Sequence, residues 1–163
     1  MAVDMFLKID SLEGESEDST HKGEIEVISW NWAASQTGTG GAGGGLGAGK
    51  VEIQDIEIRK LTDRASPVLY QLCCSGKHIA SATLTVRKAG GEALEYFILK
   101  LEDIIISSYK VGGEPKDDQI AETIRINFTR AGIKYTPQVG GGGGGATVSG
   151  GWDLKANKTW EPS

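Results

Sequence analysis

The residues of this 163-residue chain whose types and spacing could do chemistry fall in a few places. Gly38-Thr-Gly-Gly-Ala-Gly43 spells GxGxxG, and residues 44–50 approximate GxxxxGK. Both patterns cradle phosphates only where a helix N-terminus follows the glycines, and the first also needs an acidic residue about 20 positions on. Here Val51 stands where a magnesium-binding hydroxyl belongs, and the residues after it alternate as a strand. Neither phosphate reading is retained. The two histidines, His21 and His78, lie in no metal-ligand spacing with Cys73-Cys74 or with a carboxylate pair, so no metal and no cofactor is expected. Adjacent cysteines suit neither a framework of separated disulfides nor a CxxC redox pair, and they are read as a buried structural pair. His78, in Ser75-Gly-Lys-His78, reads as a turn or cap residue. The acidic run 13–18 lacks the order of a calcium loop and reads as a solvated loop. With no GxSxG and no HExxH, the chain is not expected to be an enzyme.

The elements that would position these residues are strands. Alternation of apolar and polar residues predicts strands over 3–9, 24–33, 51–59, 79–87, 94–101, 104–111 and 120–135. The alternation slips at 27–28, at 54–55 and near 129–130, as bulges or strong curvature require. A mainly β fold follows, a compact barrel or pair of packed sheets in one domain spanning 1–163. One segment breaks the pattern and predicts a short helix over 66–76, with Ser66 as cap, Pro67 in the first turn and Gly76 just past the end. Val68, Leu69, Leu72 and Cys73 form the face expected to cover the β core.

Composition narrows the class. Seventeen basic against 22 acidic residues give a net charge of −5, which argues against nucleic-acid binding. No apolar run approaches the length needed to span a bilayer. The start of the chain reads as lacking a signal peptide. Of 24 glycines, eight fall in 38–49 and eight in 140–151, so an ordinary domain carries two glycine-rich inserts. The first reads as a contact arm between two strands, because glycine loops lack side chains to pack themselves down and order against a partner. In Trp30-Asn31-Trp32 the two indoles share one strand face and place Asn31 on the other, and Thr123, Arg125, Asn127 and Thr129 form a second polar row. A β domain built for contacts is the reading these residues support, with a small-ligand or carbohydrate-binding β module as the alternative.

A resemblance sharpens it. Met5-Phe-Leu-Lys-Ile9, Ile25-Glu-Val-Ile-Ser-Trp-Asn-Trp32, Ser35-Gln36, Ser66-Pro67, Ser75-Gly-Lys-His78, Val86-Arg-Lys-Ala-Gly-Gly-Glu92, Glu122-Thr-Ile124, Tyr135-Thr-Pro-Gln138 and Gly151-Trp152 occur in order along nearly the whole chain. The sequence resembles the haemolysin co-regulated protein (Hcp) family of type VI secretion systems. The resemblance implies a β-barrel-like fold with one helix and a homohexameric ring. Stacked rings would form a hollow tube, fired by contractile sheath proteins with a spike of the valine-glycine repeat type at its tip. Effector proteins would ride non-covalently in the lumen, the subunit being assembled in the cytoplasm and then exported. Carried over by position, Asn31 corresponds to a lumen-facing position in contact with effectors. The loop 36–49 corresponds to the ring-stacking loop, with Gln36, Thr37, Thr39, Leu46 and Lys50 as its expected contact residues.

Overall fold

A computed structural model describes residues 2–38, 49–89, 93–140 and 143–163. Thr39 and Leu46 lie outside the described residues. In chain order the strands are β1 (Val3–Ile9), β2 (Ile25–Glu26), β3 (Ser29–Asn31), β4 (Ala34–Ser35), β5 (Glu52–Ile53) and β6 (Ile56–Leu61). The one helix among the described residues, α1 (Ser66–Ser75), follows, then β7 (Ile79–Lys88), β8 (Glu95–Gly112), β9 (Ala121–Tyr135), β10 (Val148–Asp153) and β11 (Lys158–Thr159). All pairings are antiparallel. One sheet runs β11-β10-β9-β8-β7-β1-β2 with β6 branching from β9 and β3 from β6, while β4 and β5 form a separate ribbon. Among the described residues the ladders do not close into a ring.

The fold is mainly β with one short helix, and its two layers come from bending long strands. The predicted strands 94–101 and 104–111 are one 18-residue strand, β8. Its buried positions change from Leu99 and Leu101 to Ile104 and Ile106, so the apolar face switches parity around Asp103. Asp103 adopts the left-handed conformation at φ 51°, which aspartate tolerates better than most residues. Its carboxylate accepts from Thr129 Oγ1 at 2.8 Å and meets His78 Nδ1 at 2.9 Å. In the paired strand β9 the buried face switches from Ile126 and Phe128 to Ala131 across the same rungs. That is the irregularity the alternation places near 129–130. One half of the β8–β9 ribbon therefore joins β7 and β1, and the other joins β6 and β3. Leu7, Ile9, Leu84 and Leu99 meet Ile56, Ile58, Ile124 and Ile126 in one core, closed at a side by Leu69 of α1.

The slip at 27–28 has an equally local cause. The Val27 N–H donates to the Met5 carbonyl at 3.0 Å and the Ile28 N–H to the Arg59 carbonyl at 2.8 Å, so the chain crosses between layers there. Val27 is buried and Ile28 is left exposed.

Several expectations need correction. The helix is capped by Ala65 without a side-chain bond, and Ser66 is buried instead of capping. Ser66 Oγ is already engaged with a buried Lys–Glu pair, described below. Gly76 does close the helix, at φ 64°. Leu69 is buried as expected, whereas Val68 points to solvent. Cys73 is half-buried and Cys74 exposed, because the helix turns the second thiol away from the sheet; both are free. The acidic loop is more than a solvated run. Ser16 and His21 are buried, and Asp18 takes two bonds from Arg87, at 2.7 and 3.0 Å. Strands β10 and β11 escape the alternation test because β10 carries Gly150-Gly151. At Gly151 a Cβ would stand 2.4 Å from the Trp160 carbonyl oxygen, so only glycine lets the C-terminal segment close on β10.

Candidate functional site

Side chains alternate across a strand, so the burial of Trp30 fixes where Asn31 points. Trp30 stacks on Phe97 with centroids 5.1 Å apart. Trp32 sets its ring edge-on to Phe128 at 5.9 Å and donates its Nε1–H to the Gln54 carbonyl at 3.0 Å. Asn31 is exposed on the opposite face, as the sequence predicts.

That face is a polar lattice carried by β3, β6, β9 and the C-terminal half of β8. Asn31 Nδ2 donates to Glu57 Oε1 at 3.4 Å. Glu57 pairs with Arg125 across the β6–β9 ladder at 2.6 Å. Asn127 Nδ2 donates to Asp55 at 2.8 Å, and Ser107 Oγ donates to the same carboxylate at 2.6 Å. Further along stand Thr129, Asp103 and His78, the His78 contact with Asp103 holding that carboxyl below the usual range, helped by the Thr129 bond. Arg125 and Asn127 lie in the polar row of the sequence; Glu57, Asp55 and Ser107 were legible only once the ladders were known. Glu57 and Arg125 compensate each other, while Asp55 is held by neutral donors. The lattice offers hydrogen-bonding edges, and no cluster of three metal-ligating side chains occurs among the described residues.

The strands under this face have two distinct ends. At one, β4 and β5 lead into and out of the glycine-rich loop, whose root is fixed by the Gly49 N–H donating to the Thr37 carbonyl at 3.3 Å. Gln36, Thr37 and Lys50 are exposed there. At the other end are the rungs Ser29 with Arg59 and Leu61 with Ala121. The structure thus keeps Asn31 and the loop residues near one end of the same four strands without joining them into one pocket.

Two buried polar clusters brace the scaffold. Lys60 and Glu122 are cross-strand partners, both buried, and bond each other directly. Lys60 Nζ also donates to Asp63 at 3.0 Å and Ser66 Oγ at 3.1 Å, while Ser66 and Tyr109 donate to Glu122. Burial pushes the Glu122 carboxyl up, but the bonds from Lys60, Ser66 and Tyr109 outweigh it and hold the group below its ordinary value. Burial, and then the neighbouring Glu122, push the Tyr109 hydroxyl up to about 12. A signal for this cluster existed: Ile56-Glu-Ile-Arg-Lys60 and Glu122-Thr-Ile124 each place a charge in the apolar register. The second cluster centres on His21, which stacks on Phe6 at 4.4 Å and lies between Glu24 at 2.8 Å and Glu95 at 2.6 Å. Burial lowers the imidazole pKa, the two carboxylates raise it, and the balance is a raised value.

A two-layered β domain with a polar, hydrogen-bonded face and a glycine-rich sequence between β4 and β5 suits a contact-making protein. The comparisons make the family definite. Residues 6–135 match the model of "Type VI secretion system effector, Hcp". The chain is 46% identical over 159 residues to "Protein hcp1" of Pseudomonas aeruginosa, covering 96% of this chain and 98% of that protein. A crystal structure of Hcp1 from Salmonella typhimurium superposes with a TM-score of 0.83 at 40% identity, covering 98% of this chain and all of that one. A structure described as a type six secretion system protein superposes at 0.92 with 30% identity and the same coverage. The chain belongs to the Hcp family and is a tube subunit of a type VI secretion system. Among the described residues no helix is long and apolar enough to cross a membrane.

Proposed function

We propose that this protein assembles as a homohexameric ring, that the rings stack into a hollow tube, and that the polar face around Asn31 lines the lumen and contacts effector proteins. Family membership over nearly the full chain is the observation that carries this reading. The open edges of the polar sheet support it. β3 is laddered on one side only, by β6, and β8 beyond Ile104 has β9 as its only strand partner among the described residues. A sheet with a free edge at each side can add a neighbour's strand at both, and identical copies joined by such heterologous contacts close into a ring. The amides of Asn31 and Asn127 and the hydroxyl of Ser107 give the lumen face neutral hydrogen-bonding groups that suit cargo of varied sequence. The tube carries its cargo non-covalently, meets a spike of the valine-glycine repeat type at its tip, is driven by contractile sheath proteins, and leaves the cytoplasm on firing. The domain itself performs no catalysis.

The test is the native mass of the purified protein by light scattering coupled to size exclusion, with negative-stain images of the same peak. Six copies of 17.3 kDa give about 104 kDa, with a central hole. A stable 17.3 kDa monomer across concentrations would refute the ring and return the small-ligand-binding module as the better reading.

A further inference from the structure

One row of the polar face holds only donors. At the end opposite the loop, Ser29, Arg59, Thr123 and Lys110 stand side by side on β3, β6, β9 and β8, because the ladders pair Ser29 with Arg59, Arg59 with Thr123 and Thr123 with Lys110. Directly paired residues share a face of the sheet. Ser29, Arg59 and Lys110 are exposed, and the row contains no carboxylate. Nearby cations are already compensated: Arg125 pairs with Glu57 at 2.6 Å and Lys116 with Glu114 at 3.0 Å. Arg59 and Lys110 enter no ion pair among the described residues. They line an open cleft of about 600 Å³ together with Asp117 and Asp118 of the β8–β9 turn, yet neither acid pairs with them, and Asp117 instead accepts the Glu114 N–H at 2.9 Å.

Ring closure turns this short row into a long one. The two cations sit on alternate strands of the order β8-β9-β6-β3. Neighbouring strands lie about 4.8 Å apart, so Arg59 and Lys110 are about 10 Å apart across the face. Where the free edge of β3 meets the free edge of β8 in the next copy, the spacing carries over from Arg59, across Ser29, to Lys110 of that copy. Six copies with two cations each therefore set a band of charges at intervals of about 10 Å around one end of the lumen, with a hydroxyl between each pair. That interval is close to the Debye length of about 8 Å at physiological ionic strength, so adjacent cations repel one another. An anionic partner relieves the repulsion and finds a donor at every step. Carboxylates on a protein fit this band better than the phosphates of a nucleic acid, because a chain with a net charge of −5 repels a polyanion that must lie beyond the band as well as on it.

We propose that Ser29, Arg59, Thr123 and Lys110 form a donor band at one mouth of the lumen that holds effector proteins by their surface carboxylates, an assignment that rests on the ring and lumen reading above. The test uses the purified ring of the full chain and fluorescein-labelled peptides, with binding read by anisotropy. A deca-glutamate peptide, about 33 Å long when extended, spans about three cations of the band. It should bind roughly tenfold tighter than a Gly-Ser peptide of equal length, as about three exposed ion pairs supply together. Arg59→Gln with Lys110→Gln should remove that preference. Lys22→Gln with Lys155→Gln subtracts the same charge from the loop before β2 and the turn before β11, and should leave it intact. All four positions are exposed, and native mass checks that the ring persists in each variant. Deca-glutamate that binds no tighter than the Gly-Ser peptide, or a preference that survives the change at Arg59 and Lys110, overturns the band. An equal loss in the Lys22 and Lys155 variant overturns it too, since net charge alone would then explain the attraction. A thymidine dodecamer that binds tighter than deca-glutamate, and loses its binding with Arg59 and Lys110, would make the band a nucleic-acid site in place of a cargo contact. A monomer strikes the ring reading and the band together, whereas an intact ring without the preference strikes the band alone.

Discussion

Replacing Lys60 by methionine tests the account of the buried cluster most directly. The substitution keeps most of the side-chain volume and removes the charge, leaving the Glu122 carboxylate buried with hydroxyl donors but no cation. Breaking a buried pair by removing one partner costs about 3–5 kcal/mol. Ser66 and Tyr109 still donate to Glu122, so the low half of that range applies while the carboxylate stays ionised. Glu122→Gln is gentler, because Asp63 remains 3.0 Å from Lys60 Nζ and compensates part of its charge. The double variant Lys60→Met/Glu122→Met removes both charges and recovers at least ~2 kcal/mol relative to Lys60→Met alone, since apolar replacement of a whole buried pair is often neutral or better. For a domain of this length each kcal/mol moves the melting temperature by about 2–4 °C. Urea unfolding followed by tryptophan fluorescence, at equal protomer concentration for every variant, reads the ranking. The sign with pH follows from the depressed Glu122 value: its contribution is full above the ordinary carboxylate range and fades as pH falls through the lower folded value. A Lys60→Met protein within 1 kcal/mol of the unaltered one, or a double variant worse than both singles, would refute the reasoning.

Three further outcomes are expected. The raised imidazole pKa of His21 stabilises the fold fully below about pH 6.5, the ordinary value, and the benefit is lost as pH rises through the folded value; the stability gap between the unaltered protein and His21→Asn should therefore narrow from pH 5.5 to 8. Gly151→Ala should displace the C-terminal segment at roughly 1–3 kcal/mol of overpacking, seen as altered Trp152 and Trp160 fluorescence, whereas Gly150→Ala, with nothing within 4 Å of the added carbon, should not. Asn31→Glu sets a carboxylate against Glu57 on the proposed lumen face. It should lower the amount of effector co-purified with the ring, leave ring mass unchanged, and alter stability by no more than about 0.5 kcal/mol.

Period-2 alternation revealed most strands, because burial on one face imposes it residue by residue. β1 is delimited correctly from Val3 to Ile9 for that reason, and the helix ends at Gly76 because left-handed backbone demands it. What stayed hidden depends on pairing across the chain. Asp103 looked like a break between two strands, and only its bonds to Thr129 and His78 turn the break into a bend. Ser66 carried every local mark of a cap, yet a cluster reached through Glu122, 56 residues away, claims its hydroxyl. The placement of Asn31 was readable since two indoles fix the face of their neighbour, but the acids that surround it come from β6 and the residues just before it.

The bend at Asp103 and the parity switch opposite it in β9 let the same two strands serve both layers. A shear between the layers, such as an axial shock on a tube wall would impose, meets continuous covalent backbone at that crossing instead of a slip plane between separate sheets. Sliding one layer over the other would require the β8–β9 ladder, the longest among the described residues, to come apart as a unit. A tube wall assembled as proposed would draw stiffness along its length from inside each subunit and would yield first at the joints between copies.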